Sequence, residues 1–386
     1  MRVLLKGIGG VYNYGCEAIV RGTVNMLRMI DPAIQIDYAS FRMDDDRRRL
    51  KGCDVNIIPA YKKWSVRNIL KAVLNRLHIK NSIPLENYNE ITKYNAVISI
   101  GGDIYTIYPG GLYAESLVRY GEECYRRGVP YILWGCSVGP FEGYPSIKKI
   151  FTKHLLHTSL ILAREQVTID YLKQLGISSN ICFSMDPAYF VSPISVSKKV
   201  TKFSRIGINL SPASLLFHHL EEKKYISIQA CAIQSIIDTF DCDITLLPHV
   251  VDTLEIDNDY TYLRKVYDAL PLNVKRRVLM VDNDPGFIGI KKEILRCDLT
   301  ISARMHCCIN SLTCGIPTIF LSYSEKSKGM CKLIYGTDQN CIPIEDFAPD
   351  KIVDKIRYSN FDYSLNGIEI NDNVRNRIKE LLKSEK

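Results

Sequence analysis

Short apolar runs recur along the whole chain, several of them with no polar alternation, and stretches of helical spacing separate them. Val3 to Ile8 is the first, followed by Gln35 to Phe41, Asp54 to Ala60, Ala96 to Ile100, Pro130 to Trp134 and Leu160 to Ala163. A strand without alternation is buried on both faces, which is how a parallel sheet sandwiched between helices reads. Glu17 to Ile30 has the apolar spacing of the first covering helix. A second series begins at Arg205 to Leu210 and runs through Asp243 to Leu247, Val278 to Val281, Leu299 to Ser302 and Thr318 to Leu321. Helices are expected there from about Tyr225 to Phe240, near Tyr260 to Leu270, near Gly286 to Cys297 and from Met305. The reading is α/β, with two Rossmann-like doubly wound domains and a cleft where their strand C-termini meet.

The length of 386 residues fits two domains at ~150 residues each. Residues 1–190 form the expected N-terminal domain, 191–204 a linker, 205–350 the C-terminal domain, and 351–386 a helical tail segment. FVSPISVSKKVTKFS, a Ser- and Lys-rich stretch with a proline, marks the expected linker. Within the tail, Val374, Ile378, Leu381 and Leu382 lie at helical spacing, so Asn373 to Lys383 should pack one face.

A hydrophobic share of 46% with 24% charged residues excludes a disordered or fibrous chain. Fifty Lys and Arg against 42 Asp and Glu leave +8, a basic excess that admits anionic ligands or membrane surfaces without requiring them. The cysteines number thirteen, are scattered through apolar runs and never form CxxC, so they read as reduced thiols in packing positions. MRVLLKGIGG is too short an apolar stretch for a signal peptide, and no run approaches the ~18 apolar residues of a membrane span. The expected location is a reducing cytoplasm.

Ligands of open parallel sheets collect at the loops leaving the strand C-termini, and five such loops carry chemistry-bearing residues. GIGGVYNYGCEAI, from Gly7 to Ile19, places Asn13 and Glu17 at a helix start, yet meets neither the GxGxxG nor the P-loop spacing. SIGGDIY puts Gly101, Gly102 and Asp103 after a buried strand; WGCSVGPF puts Ser137 after another. Arg164 ends the strand LILA and Glu165 opens a helix, a junction from which a guanidinium can bind a carboxylate or phosphate with two parallel hydrogen bonds. A plain salt bridge is the competing reading. In SMDPAY, Asp186 stands before Pro187 at the end of a further strand. The densest loop is LTISARMHCCINSLTCGIPTIFLSYSEKSKG, where Arg304 and His306 meet a helix N-terminus, itself an anion site, and Ser322, Tyr323, Ser324, Lys326 and Lys328 follow the next strand.

The ordered set YNYGCEAI, SIGGD, GCSVGPF, AREQVTIDYLKQLG, MDPAYF, LLPH and SARMHCCINSLTCGIPTIFLSYSEKSKG resembles the polysaccharide pyruvyl transferases, from Asn13 to about Gly329. The resemblance implies two Rossmann-like domains in the GT-B glycosyltransferase arrangement. It implies transfer of the pyruvyl unit of phosphoenolpyruvate to a sugar as a ketal. The arginine of the family's ARE motif and the histidine of its RMH motif, associated with phosphoenolpyruvate binding and catalysis, fall on Arg164 and His306. Two positions depart from the family: Cys16 stands where GDEA has its aspartate, and Cys136 where GQSVGP has its glutamine.

The expected catalytic residues are therefore His306 as an acid and Arg164, with Asp103 or Glu17 as base on the acceptor hydroxyl. Arg164, Arg304, His306, Ser324, Lys326 and Lys328 are expected at phosphoenolpyruvate, and Asn13, Gly102, Asp103 and Ser137 at the acceptor. No metal and no cofactor beyond the donor substrate is called for. The acceptor is a sugar, free or on a lipid-linked oligosaccharide. Tyr61 to Lys80 has six Lys or Arg and no acid, with Ile69, Leu70, Val73, Leu74 and Leu77 on one helical face. It reads either as a peripheral contact with an anionic inner membrane leaflet or as a core-facing helix with a solvated basic side. A nucleotide-sugar glycosyltransferase on the same fold is the rival activity. Nucleic-acid binding is disfavoured, because the basic residues are not gathered with aromatics on one module.

Overall fold

The computed structural model describes residues 1–61, 65–77, 86–191, 202–213, 215, 221–251, 257–282, 284–322, 325–365 and 369–383. Two compact units emerge. The first comprises Met1–Val11, Ile19–Pro187 and Glu369–Lys386, the second Tyr12–Ala18 and Ala188–Ile368. Most of the stretch expected to link the domains, residues 192–201, lies outside the described residues.

The first unit is built on seven parallel strands: β1 (Arg2–Lys6), β2 (Gln35–Ser40), β3 (Asn56–Pro59), β4 (Ala96–Ile100), β5 (Tyr131–Cys136), β6 (Leu160–Ala163) and β7 (Ile181–Phe183). Their order is β3-β2-β1-β4-β5-β6-β7. Leu4 lies opposite Asp37 on one side and Val97 on the other. The winding reverses between β1 and β4, and that is where an open sheet leaves a crevice beyond its strand C-termini. Every residue of β4, β5 and β6 is buried, which is the structural origin of their unbroken apolar sequence.

The second unit repeats the plan with β8 (Arg205–Asn209), β9 (Asp243–Leu246), β10 (Val278–Met280), β11 (Leu299–Ser302), β12 (Thr318–Ser322) and β13 (Cys341–Pro343). The order is β10-β9-β8-β11-β12-β13, so the reversal falls between β8 and β11. Its core sets Ile206, Ile208, Ile301, Ile319 and Leu321 from the strands against Ile233, Ile236 and Ile237 of the helix Glu222–Phe240. The helix Met305–Thr313 buries Cys307 and Cys308, and burial pushes the Cys307 thiol up to about 12. These two cysteines are packing residues, as their apolar setting suggests.

Two segments join units that are distant in sequence. Asn13 forms an antiparallel bridge with Val250, and this pairing gathers residues 12–18 into the second unit. The helix Asp372–Lys383 buries Val374, Ile378 and Leu382 and belongs to the first. There Arg377 Nη2 donates to the Ser179 carbonyl at 3.1 Å, and Arg375 Nη1 to that of Met29 at 2.9 Å. The amphipathic helix read within residues 61–80 runs over Val66–Arg76, but its apolar residues Ile69, Leu70 and Val73 are exposed rather than turned to a core.

Gly7, just past β1, has φ +117°, and a Cβ there would lie 2.4 Å from the Ile100 carbonyl oxygen of β4. Gly9, two residues on, has nothing within 4 Å of its Cβ position. Gly7→Ala should therefore cost about 2 kcal/mol or more of stability, while Gly9→Ala leaves it nearly unchanged. Thermal unfolding of the two variants checks this, and equal midpoints would refute it.

Candidate functional site

In the second unit, three strand ends converge on one carboxylate. Asp259, wholly buried at the start of the helix Asp259–Asp268, accepts through Oδ2 from the backbone N–H groups of His249 (3.1 Å) and Val250 (3.0 Å) and from Asn209 Nδ2 (3.1 Å). Its Oδ1 accepts from Arg304 Nε at 3.1 Å and Nη2 at 2.8 Å. A buried charge persists only when it is paired and hydrogen-bonded, and here five donors serve one group. Asn209, the last residue of β8, adds a second tie: its Oδ1 accepts from Ser302 Oγ and from the Arg304 backbone N–H, both at 3.0 Å. The ends of β8 and β11 and the loop after β9 are thereby locked together.

Arg304 caps the helix Met305–Thr313 with extended backbone and uses its remaining donors on Asp257, whose carboxylate is 45% exposed. A donor anion reaching this guanidinium would have to compete with Asp257. His306 follows in the first turn of the same helix, where the Cys307 and Cys308 N–H groups turn back to the Arg304 carbonyl at 2.9 and 3.2 Å. Its ring packs against Gly15, where a Cβ would come within 2.6 Å of the imidazole Cγ and Nδ1. Only a glycine at position 15 leaves the ring this room. Asn13 shapes that turn, accepting the Gly15 N–H through Oδ1 at 2.8 Å, and Glu17 is buried one turn further on. Ser322 is buried at the end of β12 and Lys328 is half-buried. Ser324 and the Lys326 side chain lie outside the described residues.

Behind His306 sits His249 of the LLPH motif, completely buried. Its Nε2 is 2.9 Å from Asn310 Nδ2, its carbonyl accepts from the Tyr14 N–H at 3.1 Å, and its ring meets that of Tyr14 edge-on. Tyr14 in turn donates to Asp284 Oδ1 at 2.6 Å and accepts from the Gly286 N–H at 3.1 Å. Burial, with His306 and Arg304 nearby, depresses the His249 pKa to about 3, so the imidazole is neutral.

In the first unit the sign is reversed: four strand ends converge on a cation. Arg164, after β6, is 1% exposed, and its Nη1 donates to the fully buried Asp186 at 2.7 Å. Ser137 Oγ, after β5, accepts from Nε at 3.3 Å and Nη2 at 3.0 Å, and Nη2 reaches Asp103 Oδ1 at 3.3 Å. Burial opposes the charge, but Asp186, Asp103 and Glu165 outweigh it and hold the pKa above the ordinary arginine value. The backbone of Gly102 lies against the guanidinium, where a Cβ would sit 3.0 Å from both terminal nitrogens. Ser137, expected at the acceptor, instead fixes the arginine from a buried position. Asp103 is the outward member, with a side chain 55% exposed.

Arg164, Arg304, His306, Asp103 and Ser137 thus sit at strand C-termini, as their positions in the sequence imply. Asn209, Asp257, Asp259, Tyr14, Asp284 and Asn310 escaped that reading. The signal for Asn209 was present, a polar residue ending the run RIGIN. Among the described residues no group of three or more His, Cys, Asp or Glu is placed to hold a metal ion, and no helix is long and apolar enough to cross a membrane.

The family model described as polysaccharide pyruvyl transferase matches residues 13–325. Among curated proteins, the amylovoran biosynthesis protein AmsJ of Erwinia amylovora is 23% identical over 407 residues, covering 92% of this chain and 91% of that protein. Among solved structures, UDP-GlcNAc 2-epimerase from Neisseria meningitidis, bound to UDP-GlcNAc, aligns at TM-score 0.58 and 11% identity, covering 99% of both chains. The Methanocaldococcus jannaschii UDP-GlcNAc 2-epimerase aligns at TM-score 0.58 and 9% identity over 99% of this chain and 98% of that one. At such identities the likeness is one of fold, and the fold is a GT-B-like pair of parallel α/β domains.

The neutral, buried His249 ties stability to pH. Below its ordinary pKa of about 6.5 the unfolded chain takes up a proton that the folded site refuses until about pH 3. Stability contributed here is complete above pH ~6.5 and falls on acidification by up to about 1.4 kcal/mol per pH unit. Denaturant unfolding of wild type and His249→Gln between about pH 4 and 8 should show a stability difference that shrinks towards acid. A difference independent of pH would mean that His249 protonates freely in the fold.

Proposed function

This chain belongs to the polysaccharide pyruvyl transferase family, and on that basis we propose that it transfers the pyruvyl unit of phosphoenolpyruvate to a sugar, forming a ketal and releasing phosphate. It is a transferase of polysaccharide synthesis, and its acceptor is a sugar. The acceptor proposed is the polysaccharide itself or its lipid-linked precursor, handled in the cytoplasm with peripheral contact at the inner face of the membrane.

The observation that carries the reading is the placement of His306 in the first turn of the helix Met305–Thr313, with its ring held against Gly15. Phosphoenolpyruvate presents a carboxylate and a phosphate on one carbon, and the positive end of a helix dipole suits either anion. Lys326 and Lys328, in the first turn of the helix Glu325–Tyr335, would add donors, as would Ser324 just before it. Ketal formation begins when the methylene carbon gains a proton and C2 becomes oxocarbenium-like. One sugar hydroxyl adds to C2; a second displaces phosphate. Two hydroxyl protons are lost; the methyl group retains one and phosphate carries the other. An acid whose ordinary pKa lies near neutrality serves this exchange, and we assign that role to His306.

Arg164 fits a positioning role. Enclosed by Asp186 and Ser137, it holds the exposed carboxylate of Asp103, which is proposed as the base on an acceptor hydroxyl. Glu17, the other carboxylate proposed as base, is buried, so Asp103 is favoured. Gly102 and Asn13 remain proposed acceptor contacts through their loops.

His306→Ala should lower ketal formation from phosphoenolpyruvate and a β-galactoside about 10²–10⁴-fold without lowering the thermal midpoint. Released phosphate and the acid-labile ketal are the readouts. Near-normal turnover in the folded variant would remove His306 from the chemistry. A thermal shift with nucleotide sugars and none with phosphoenolpyruvate would favour glycosyl transfer instead.

A further inference from the structure

The helix Val66–Arg76 has its amphipathicity reversed. A helix covering a sheet turns its apolar stripe inward. Here Val66, Ile69, Leu70, Val73 and Leu77, spaced i, i+3, i+4, i+7 and i+11, share a face about 100° wide, and they are 45–85% exposed. The side turned to the protein instead buries Asn68 and half-buries Leu74 and Lys71. The helix begins in a regular way, with Ser65 Oγ accepting the Asn68 N–H at 3.3 Å. Five aliphatic side chains in one outward stripe are a surface that water alone does not explain.

Charge selects the partner. The helix contains Arg67, Lys71 and Arg76 and no acid, and no Asp or Glu occurs anywhere between Ala60 and Glu86. A second copy of the chain on this face would bring like charges together with no carboxylate to pair them. An anionic bilayer satisfies both features at once: aliphatic side chains enter the boundary between headgroups and acyl chains, while cations on the flanks meet lipid phosphates.

We infer that the outward face of the helix Val66–Arg76 is the surface by which this protein docks on an anionic membrane leaflet. The inference deepens the proposed location at the inner membrane face and does not depend on the donor chemistry. Vesicle flotation of the full chain tests it, with phosphatidylcholine vesicles containing roughly 30% phosphatidylglycerol against phosphatidylcholine alone. Wild type should float with the anionic vesicles and not with the neutral ones. Ile69→Ser/Val73→Ser and, separately, Arg76→Glu should each weaken binding about tenfold or more. Thermal midpoints and turnover on a soluble acceptor should stay at wild-type values, so loss of docking is read apart from loss of pyruvyl transfer. Absence of flotation by wild type, or flotation of both variants at wild-type level, overturns the inference. So does concentration-dependent self-association that the Ile69→Ser/Val73→Ser variant abolishes without vesicle binding.

Discussion

A carboxylate with no exposure to water must be surrounded by donors, and in the second unit that requirement falls on Asp259. Its five donors come from Asn209, His249, Val250 and Arg304, which stand in or beside three different strands. Satisfying one charge therefore ties together the C-terminal ends of β8, β9 and β11, half of the sheet. It also decides what Arg304 can do, since the guanidinium is committed to a partner it cannot leave without stranding a buried anion. His306, two residues on, is set by the same constraint, because the helix that carries it starts at the capping Arg304.

The first unit meets the same problem with the opposite charge. Arg164 is the buried group, and Asp186, Ser137 and Asp103 supply acceptors from three strand ends. In both units the arginine has one fully buried aspartate and one half-exposed aspartate: Asp186 and Asp103 for Arg164, Asp259 and Asp257 for Arg304. The buried aspartate gives rigidity. The exposed one is the member that meets solvent at the sheet edge, with a side chain about half exposed. Breaking the buried member would cost about 3–5 kcal/mol by the measure of other buried pairs.

The fold was legible because strands covered on both faces must be apolar throughout, as in Ala96 to Ile100 and Leu299 to Ser302. β13, three residues at a sheet edge, carries too short a pattern to read. The site was legible only in part. Arg164, Arg304 and His306 end or follow apolar runs, so topology alone brings them to a sheet edge. Asp259 opens a helix and is written in sequence like any solvent-exposed cap, since burial at a helix start leaves no local mark. Nor can a turn show which unit it pairs with, and Asn13 joins Val250 across more than two hundred residues. Position 136, a cysteine where the family resemblance implies a glutamine, shows the reverse case. The residue is fully buried, its thiol turned to the Ser99 and Trp134 carbonyls, and burial raises its pKa to about 12, so the group is neutral and weakly polar. The substitution withdraws one amide from the strand edge and leaves the charge balance around Arg164 to Asp186 and Asp103.

The excess of positive charge has a local origin. Residues 61–80 hold six Lys or Arg and no acid, which accounts for six of the formal +8. The rest of the chain is close to neutral and has no long-range field to draw an anionic donor to it. At physiological ionic strength the Debye length is about 8 Å, so charge concentrated in one short segment acts on what touches it and little else. Attraction for a small anion at the second unit then has to come from groups at the sheet edge itself, the positive end of the helix dipole and Lys328 above all. The two positive features of this protein thus answer to separate demands: one is a surface stripe bordered by apolar side chains, the other a set of donors at the strand ends. A substitution in either can be tolerated without altering the other, as the absence of any shared residue requires.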